Sequence, residues 1–207
     1  MTIKTTLIAL AITLTSLGPA TGLGAELAEG LQRSYTLESE QRYTEALAAL
    51  DALSPRGDDA YVVLLRSGWL NYLAGRQADA VHAYRRAIQA APEAVEAQLG
   101  LTLPLIASKR WSEVVKACET VLNTAPGNYL AMSRRAFALY SLGRYGEAAR
   151  AYQLVLDQYP SDVDMRSGLG WSLLKQGKSD PAREAFSQAL SYAPSHATAT
   201  EGMRALR

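Results

Sequence analysis

The chain has 207 residues, a length that suffices for one domain or two small ones with a buried core. Its 21 basic and 20 acidic residues leave a formal charge of +1, which gives no electrostatic footprint for nucleic acid or an anionic membrane surface. One cysteine excludes an intrachain disulfide and a multi-cysteine metal site, and two histidines leave little room for a histidine-based metal centre. Abundant Ala and Leu beside only two Phe favour helices over a β-sandwich.

The N-terminal segment has the layout of a secretory signal peptide. Lys4 supplies one positive charge, the apolar run LIALAITLTSL follows at residues 7–17, and small residues come next. The run is about 11 residues long, whereas a membrane-spanning helix needs about 20, so an uncleaved anchor is the less favoured interpretation. We expect cleavage after Ala20, Gly22 or Ala25. Removal of residues 1–25 lowers the formal charge from +1 to 0, and we expect a periplasmic or secreted chain without membrane association.

A period of 34 residues runs through the rest of the chain and is marked by Pro92, Pro126, Pro160 and Pro194. Aligned at this period, four columns of small or apolar residues recur at spacings of 4, 3 and 1, which places them on one stripe of a helix. The first of these columns holds Ala46, Ala80, Val114, Ala148 and Ala182. Glycines stand five residues before it in three repeats, where a turn between two helices is expected; they are Gly75, Gly143 and Gly177.

Three segments at this period are closely alike: GRQADAVHAYRRAIQAAP (75–92), GRYGEAARAYQLVLDQYP (143–160) and GKSDPAREAFSQALSYAP (177–194). The sequence resembles the tetratricopeptide repeat (TPR) family of 34-residue helix–turn–helix units. The resemblance implies an all-α, right-handed superhelical solenoid. The array at 26–196 would comprise repeats 27–60, 61–94, 95–128, 129–162 and 163–196, and a short C-terminal cap helix would follow at 197–207.

Two places depart from the family pattern. The segment SPRGDD (54–59) has Asp58 where the exit proline belongs, which predicts a looser turn and an early end to the preceding helix. Pro104 lies inside the first helix of the third repeat, where it should free the carbonyl of Gly100 and kink the helix. That kink is either tolerated drift or a deliberate bend at the centre of the groove.

In this family the first helix of each repeat lines the concave surface, and repeat positions 2, 5, 9, 12 and 13 face it. Position 9 is aromatic or apolar in every repeat, and position 12 adds two tyrosines. We therefore expect an apolar strip, although packing between neighbouring first helices takes part of this area. The residues predicted to bind a partner are Tyr35, Leu65, Trp69, Tyr72, Leu103, Ile106, Phe137, Tyr140, Trp171 and Leu174.

Basic residues lie near this strip, and the ones predicted to contribute are Arg66, Arg134 and Lys175. An arginine could bind a ligand carboxylate through two hydrogen bonds, or it could simply solvate a helix flank. Some relatives hold a peptide C-terminus with a set of Lys and Asn residues. This sequence does not reproduce that set, so the clamp is not carried over.

No constellation for catalysis is recognisable. His82 and His196 are expected on the surface, and Cys118 falls in a packing column as a small buried hydrophobe. We therefore predict no enzyme activity, no cofactor and no metal, with an enzyme or cofactor carrier as the least favoured alternative.

The favoured function is an adaptor of the cell envelope that holds an apolar peptide or helix of another protein in its concave groove. The alternative is a self-associating structural protein of an envelope assembly, such as polysaccharide export, cytochrome c maturation or cell-wall machinery. The partner would be a protein or peptide segment or a second copy of the chain, and not nucleic acid.

Overall fold

The computed structural model describes residues 22–53 and 57–207, which form helices joined by short turns, with no strand in those ranges. The predicted signal peptide lies largely outside these residues, although the candidate cleavage positions Gly22 and Ala25 fall in the first turn of the first helix. The helices are α1 Gly22–Ser39, α2 Tyr43–Asp51, α3 Asp58–Leu73, α4 Gln77–Ala90, α5 Val95–Ala107, α6 Trp111–Thr124, α7 Tyr129–Ser141, α8 Tyr145–Gln158, α9 Val163–Lys175, α10 Ser179–Tyr192 and α11 Ala197–Ala205.

The helices are arranged as five consecutive pairs, α1/α2 to α9/α10, followed by α11. Each helix packs on its neighbours in the chain, and from α3 to α11 each odd-numbered helix also contacts the next odd-numbered one. The odd-numbered helices therefore form one layer and the even-numbered helices cover its other side. This arrangement confirms the predicted helical solenoid. None of the helices in the described part of the chain is both long and apolar enough to cross a bilayer.

The predicted apolar stripe is the core of the stack. All five residues of its first column have no exposed surface: Ala46, Ala80, Val114, Ala148 and Ala182. Small side chains there let the paired helices approach closely, while larger side chains four residues later fill the space between repeats. This second column is also buried and holds Leu50, Tyr84, Cys118, Tyr152 and Phe186.

The turn within each pair uses one left-handed residue, as predicted for the glycines. Gly75, Gly143 and Gly177 have φ of 74°, 75° and 77°. The equivalent places in the first and third repeats hold Gln41 at φ 60° and Lys109 at φ 55°, which the sequence pattern did not indicate. A Schellman motif closes each turn, since the backbone N–H of the next residue donates to the carbonyl five residues before it, and this bond fixes the conformation whichever residue occupies the place.

An arginine–glutamate pair follows several of these turns at the start of the outer helix. Arg110 Nε lies 2.6 Å from Glu113 Oε1, and Arg144 Nη2 lies 2.6 Å from Glu147 Oε2. The positive guanidinium holds the pKa of the Glu113 carboxyl below its usual value, chiefly through this hydrogen bond. The pair places a carboxylate in the first helical turn, where the helix dipole favours it.

The structure tests one part of the two predicted departures, the early end of the helix before residues 54–59. Helix α2 ends at Asp51 after nine residues, whereas α4, α6, α8 and α10 have fourteen, which confirms the early end. Helix α5 continues through the buried Pro104 to Ala107, and the kink stays a prediction.

The C-terminal helix α11 closes the last repeat. Leu190 of α10 is half-buried in a cluster that includes Met203 and Leu206. Ala199 of α11 belongs to the buried part of this cluster, and Gly202 lies against the Phe186 ring of α10, so α11 covers the end of the last repeat.

Candidate functional site

The odd-numbered helices present the surface where the sequence predicts a groove. One cavity of about 780 Å³ lies on it, between α7, α9 and α11. Five of the predicted partner-binding residues line this cavity: Arg134, Phe137, Tyr140, Trp171 and Lys175. The rest of its wall, which the sequence analysis did not single out, is Ser133, Tyr152, Asp164, Met165, Gly168, Thr198 and Glu201. We call this cavity the α7–α9–α11 pocket.

Aromatic side chains form the apolar walls of the pocket. Phe137 leaves 45% of its surface exposed, and its ring meets Trp111 edge to face at 5.5 Å. Trp171 packs edge to face on Phe186 at 5.7 Å, and its Nε1–H donates to the carbonyl of Thr198 at 3.1 Å. These contacts hold the rings in place, so a ligand could bury them at little further cost in side-chain entropy.

The floor of the pocket is closed by Tyr152 and Gly168. A Cβ added to Gly168 would lie 2.5 Å from the Tyr152 ring, so the glycine allows α9 to pass directly over that ring. Burial raises the pKa of the Tyr152 hydroxyl above its usual value, so the floor is uncharged.

Arg134 supplies a cation at the wall of the pocket. Its Nη1 donates to the Leu99 carbonyl at 2.9 Å and to Thr102 Oγ1 at 2.7 Å. No carboxylate among the described residues lies within ion-pairing distance of it. Desolvation by partial burial lowers the pKa of this guanidinium, which nevertheless stays charged because the ordinary pKa of arginine is above 12.

Other charges stand around the pocket. Lys175 is exposed on α9, while Asp164 and Glu201 bring two carboxylates. Asp164 Oδ1 lies 3.0 Å from His196 Nε2, so one of these carboxylates already has a partner. The pocket is therefore apolar with charges of both signs at its wall.

The structure places the remaining predicted residues outside this pocket. Trp69 Nε1 donates to Glu38 Oε1 at 2.7 Å, and its ring lies 5.8 Å from that of Tyr72. Tyr35 is exposed, and its ring lies beneath Arg66. The aliphatic members are half-buried, and these are Leu65, Leu103, Ile106 and Leu174. Leu65, Ile106 and Leu174 pack against core clusters, as the packing alternative expected.

Arg66 differs most from the expectation that it lies free near the groove. It is only 7% exposed and forms an ion pair with Glu38. Its Nε donates to Ser34 Oγ at 3.0 Å, and its guanidinium lies 3.8 Å from the centre of the Tyr35 ring. A side chain with these partners links the first two repeats. Its Nη2 atom has no hydrogen-bond partner among the described residues but is buried, so the residue is closed to a ligand.

The two histidines and the single cysteine lie in different surroundings. His82 is exposed, as predicted. His196 is partly exposed, and its Nδ1 accepts from Ala199 N at 3.3 Å and so caps α11, a role that the sequence did not indicate. Cys118 is buried as predicted, and burial raises the pKa of its thiol to about 12. Within the described ranges no three metal-ligating side chains cluster together.

Comparison with family models gives a consistent result. Two models described as tetratricopeptide repeat match the sequence, one over residues 31–95 and 104–166 and the other over residues 139–205. A search of curated proteins finds no sequence that matches significantly.

Solved structures of similar fold include proteins of three kinds. One is a tetratricopeptide repeat protein from Parabacteroides merdae ATCC 43184, with a TM-score of 0.81 and 19% identity over 88% of this chain and 73% of that one. YrrB, described as a TPR protein with an unusual peptide-binding site, has a TM-score of 0.75 and 16% identity, over 89% of this chain and 98% of that one. MamA MSR-1 has a TM-score of 0.70 and 20% identity, over 83% of this chain and 97% of that one. At these identities the likeness concerns the fold.

Proposed function

The chain belongs to the tetratricopeptide repeat family, and on that premise we propose that it is an interaction scaffold whose α7–α9–α11 pocket binds a peptide segment of a partner protein. Repeat arrays of this family serve as protein–protein interaction modules, and their extended inner surface suits such a role. YrrB, whose fold is similar, is described as a TPR protein with an unusual peptide-binding site, and a peptide-binding role would suit this chain as well.

The observation that carries the proposal is the exposed aromatic wall of the pocket. A volume of about 780 Å³ is within the range of small-ligand sites and would accommodate several side chains of an extended segment. Phe137 and Trp171 present rigid aromatic surface there, and such residues dominate the binding energy of interfaces. Burial of this surface, rather than long-range charge attraction, would supply most of the affinity.

We further propose that the protein acts without catalysis. Cys118 is the only thiol in the sequence, and its raised pKa leaves it protonated and poorly nucleophilic. The pocket wall combines aromatic, small and charged residues but has no histidine. A binding role therefore accounts for the lining of the pocket better than an acid–base or nucleophilic mechanism does.

The proposed setting is the cell envelope. Support comes from the layout of residues 1–25, which matches a secretory signal peptide. N-terminal sequencing of the protein from an envelope fraction tests this part, with a start after Ala20, Gly22 or Ala25 as the expected result. A protein that retains Met1 and stays in the cytoplasmic fraction would contradict export and leave the binding role intact.

Affinity capture with two matched variants tests the binding role. Phe137→Ser removes an exposed apolar side chain from the pocket, and Leu154→Ser removes one that is 54% exposed on the outer helix α8. We expect Phe137→Ser to lose the captured partner and Leu154→Ser to retain it, while both keep the helical circular dichroism signal. Equal capture by the two variants would count against the pocket.

Self-association is the second candidate function. Helix α11 packs on the buried cluster of the last repeat, so the end of the array offers less uncovered apolar surface to a second copy of the chain. Light scattering across a range of concentrations tests it, and a mass that stays that of a monomer would exclude it.

A further inference from the structure

His196 caps helix α11 through a ring nitrogen that has to be unprotonated. The backbone N–H of Ala199 can only donate, so the Nδ1 atom 3.3 Å away from it must accept with a lone pair. The other ring nitrogen, Nε2, lies 3.0 Å from Asp164 Oδ1, and because an ionised carboxylate can only accept, Nε2 carries the proton. One form of the side chain satisfies both partners, and that form is the neutral ring protonated on Nε2.

The neighbouring inner helices begin with other residues at the same repeat position. Asn128 and Asp162 stand there before α7 and α9, and the side-chain oxygen of each accepts from the backbone N–H three residues later at 3.0 Å. Ala94, before α5, makes no side-chain cap. Among the caps at this position, His196 is the one whose side chain changes its charge between about pH 5 and 8.

Protonation of the ring would remove the cap. An imidazolium carries a hydrogen on both nitrogens, so Nδ1 could no longer accept from the N–H of Ala199. The positive charge would also stand at the N-terminal end of α11, where the helix dipole disfavours a cation. Asp164 attracts the imidazolium, but its side chain is 81% exposed, so this ion pair returns little. The ring is 18% exposed, so water can deliver the proton.

The other ionisable groups in the surrounding turns do not replace the cap. They are Arg166 in the first turn of α9, Tyr192 at the end of α10 and Glu201 on α11. Arg166 donates to α10 and to the turn before α9, and its guanidinium lies over the Tyr192 ring. Among the described residues Asp164 is the charged group in contact with the ring of His196, and it faces Nε2 and not Nδ1.

The first turns of α11, which the cap holds, are the part of the helix that lines the α7–α9–α11 pocket. Thr198 and Glu201 belong to the pocket wall, and the Thr198 carbonyl accepts from Trp171 Nε1 at 3.1 Å. Further along α11, Gly202 lies against the Phe186 ring, and this apolar packing does not depend on pH. Loss of the cap should therefore loosen the start of α11 while the rest of the helix stays in place.

We propose that His196 makes this wall of the pocket sensitive to pH. The neutral ring holds the start of α11 against α9, and protonation frees it together with the Thr198 carbonyl that orients Trp171. Because the closed wall needs an unprotonated Nδ1, it is complete above the range in which histidine titrates and is lost as the pH falls through that range. The effect on a bound peptide rests on the proposed function, since a loosened wall must be ordered again before it can contact a ligand.

Nuclear magnetic resonance tests the role of the cap without any ligand. His82→Asn removes the second histidine of the sequence, which is exposed on α4, so the remaining ring signals come from His196. We expect the ring nitrogens at about pH 8 to show an unprotonated Nδ1, and the Ala199 amide and Trp171 indole signals to move with the ring as the pH falls to about 5. In the further variant His196→Asn, which copies the cap of α7, both signals should stay constant. A ring that titrates while the Ala199 signal stays constant would overturn the inference, and so would equal shifts in His196→Asn.

An array of immobilised random-sequence peptides tests the consequence for binding. We expect acidification from about pH 7.5 to about pH 5.5 to weaken binding about 3- to 10-fold more in the wild type than in His196→Asn, the size expected for a lost helix cap. Ionisable groups on the peptides affect both proteins alike, so the comparison between them cancels that contribution. His82→Asn is the matched control and should behave like the wild type.

The outcomes separate this inference from the proposed function. The same pH dependence in the wild type and His196→Asn would overturn the control of the pocket by His196 and leave the pocket as a binding site. If no peptide binds the wild type at either pH, the proposed function fails, and the magnetic resonance titration decides by itself whether His196 holds the start of α11.

Discussion

Removal of the Glu38 carboxylate should destabilise the first two repeats, because Arg66 would remain buried without a counter-ion. Arg66 is 7% exposed and Glu38 is 23% exposed, so this is a largely buried pair. Loss of one partner of such a pair costs about 3 to 5 kcal/mol of unfolding free energy, and we expect the lower end because water reaches Glu38. Glu38→Ala also leaves Trp69 Nε1–H without its acceptor. The expected total is about 3 kcal/mol.

The assay is urea unfolding, since guanidinium chloride would itself screen the ion pair. Tryptophan fluorescence and circular dichroism should be followed together, because repeat arrays do not always unfold in one step. The double variant Glu38→Ala/Arg66→Met should be more stable than Glu38→Ala, since it removes the uncompensated charge. Glu45→Ala breaks a fully exposed pair with Arg42 and should leave stability unchanged.

If Glu38→Ala costs less than about 0.5 kcal/mol, or if the double variant is the less stable of the two, the structural role given to Arg66 is wrong. Partner capture provides an independent control. Arg66 lies outside the α7–α9–α11 pocket, so a folded Glu38→Ala protein should still bind the partner.

Three further predictions concern the scaffold. Lys109→Gly should raise the unfolding free energy by about 1 kcal/mol because Lys109 has a left-handed backbone, and Gly143→Ala should lower it by a similar amount; thermal melts that show the opposite order would contradict the turn geometry. Gly100→Ala should cost about 1 to 3 kcal/mol because the buried Tyr84 ring lies 2.3 Å from the new Cβ, and unchanged stability in urea would refute that close approach. Cys118 should resist alkylation at pH 8 in the native protein and react in urea, since the pKa of its thiol is raised to about 12; equal rates in both conditions would show that it is not buried.

The sequence predicts the scaffold well because each repeat uses the same physical devices. A small residue such as Ala80 marks where two helices touch, and a glycine such as Gly75 marks the turn, so a 34-residue spacing suffices to place every helix pair. Gln41 and Lys109 show the limit of this signal. The Schellman hydrogen bonds impose a left-handed conformation on them although neither residue type favours it.

The site could be predicted only in part. Repeat positions 9 and 12 indicated that Phe137, Tyr140 and Trp171 share one surface, and all three line the pocket. Thr198 and Glu201 of α11 complete the pocket, and the 34-residue period does not predict their positions. The cap helix packs according to its own side chains, so the closed end of the pocket follows from tertiary contacts.

The role of Arg66 was misread for a different reason. Its partners lie in the preceding repeat, at Glu38 and Ser34, and a search for acids and hydroxyls 28 and 32 residues before each arginine would have found them. The same search at Arg134 returns Ile106 and Thr102, so the hydroxyl partner is present there and the acid is not.

Site-specific photocrosslinking in the native cells tests the central claim most directly. A photoreactive residue placed at Phe137 samples the α7–α9–α11 pocket, and one placed at Leu154 samples the outer surface with similar exposure. We expect one defined crosslinked partner from position 137 and none from position 154. Crosslinks to the same partner from position 154 alone would contradict it.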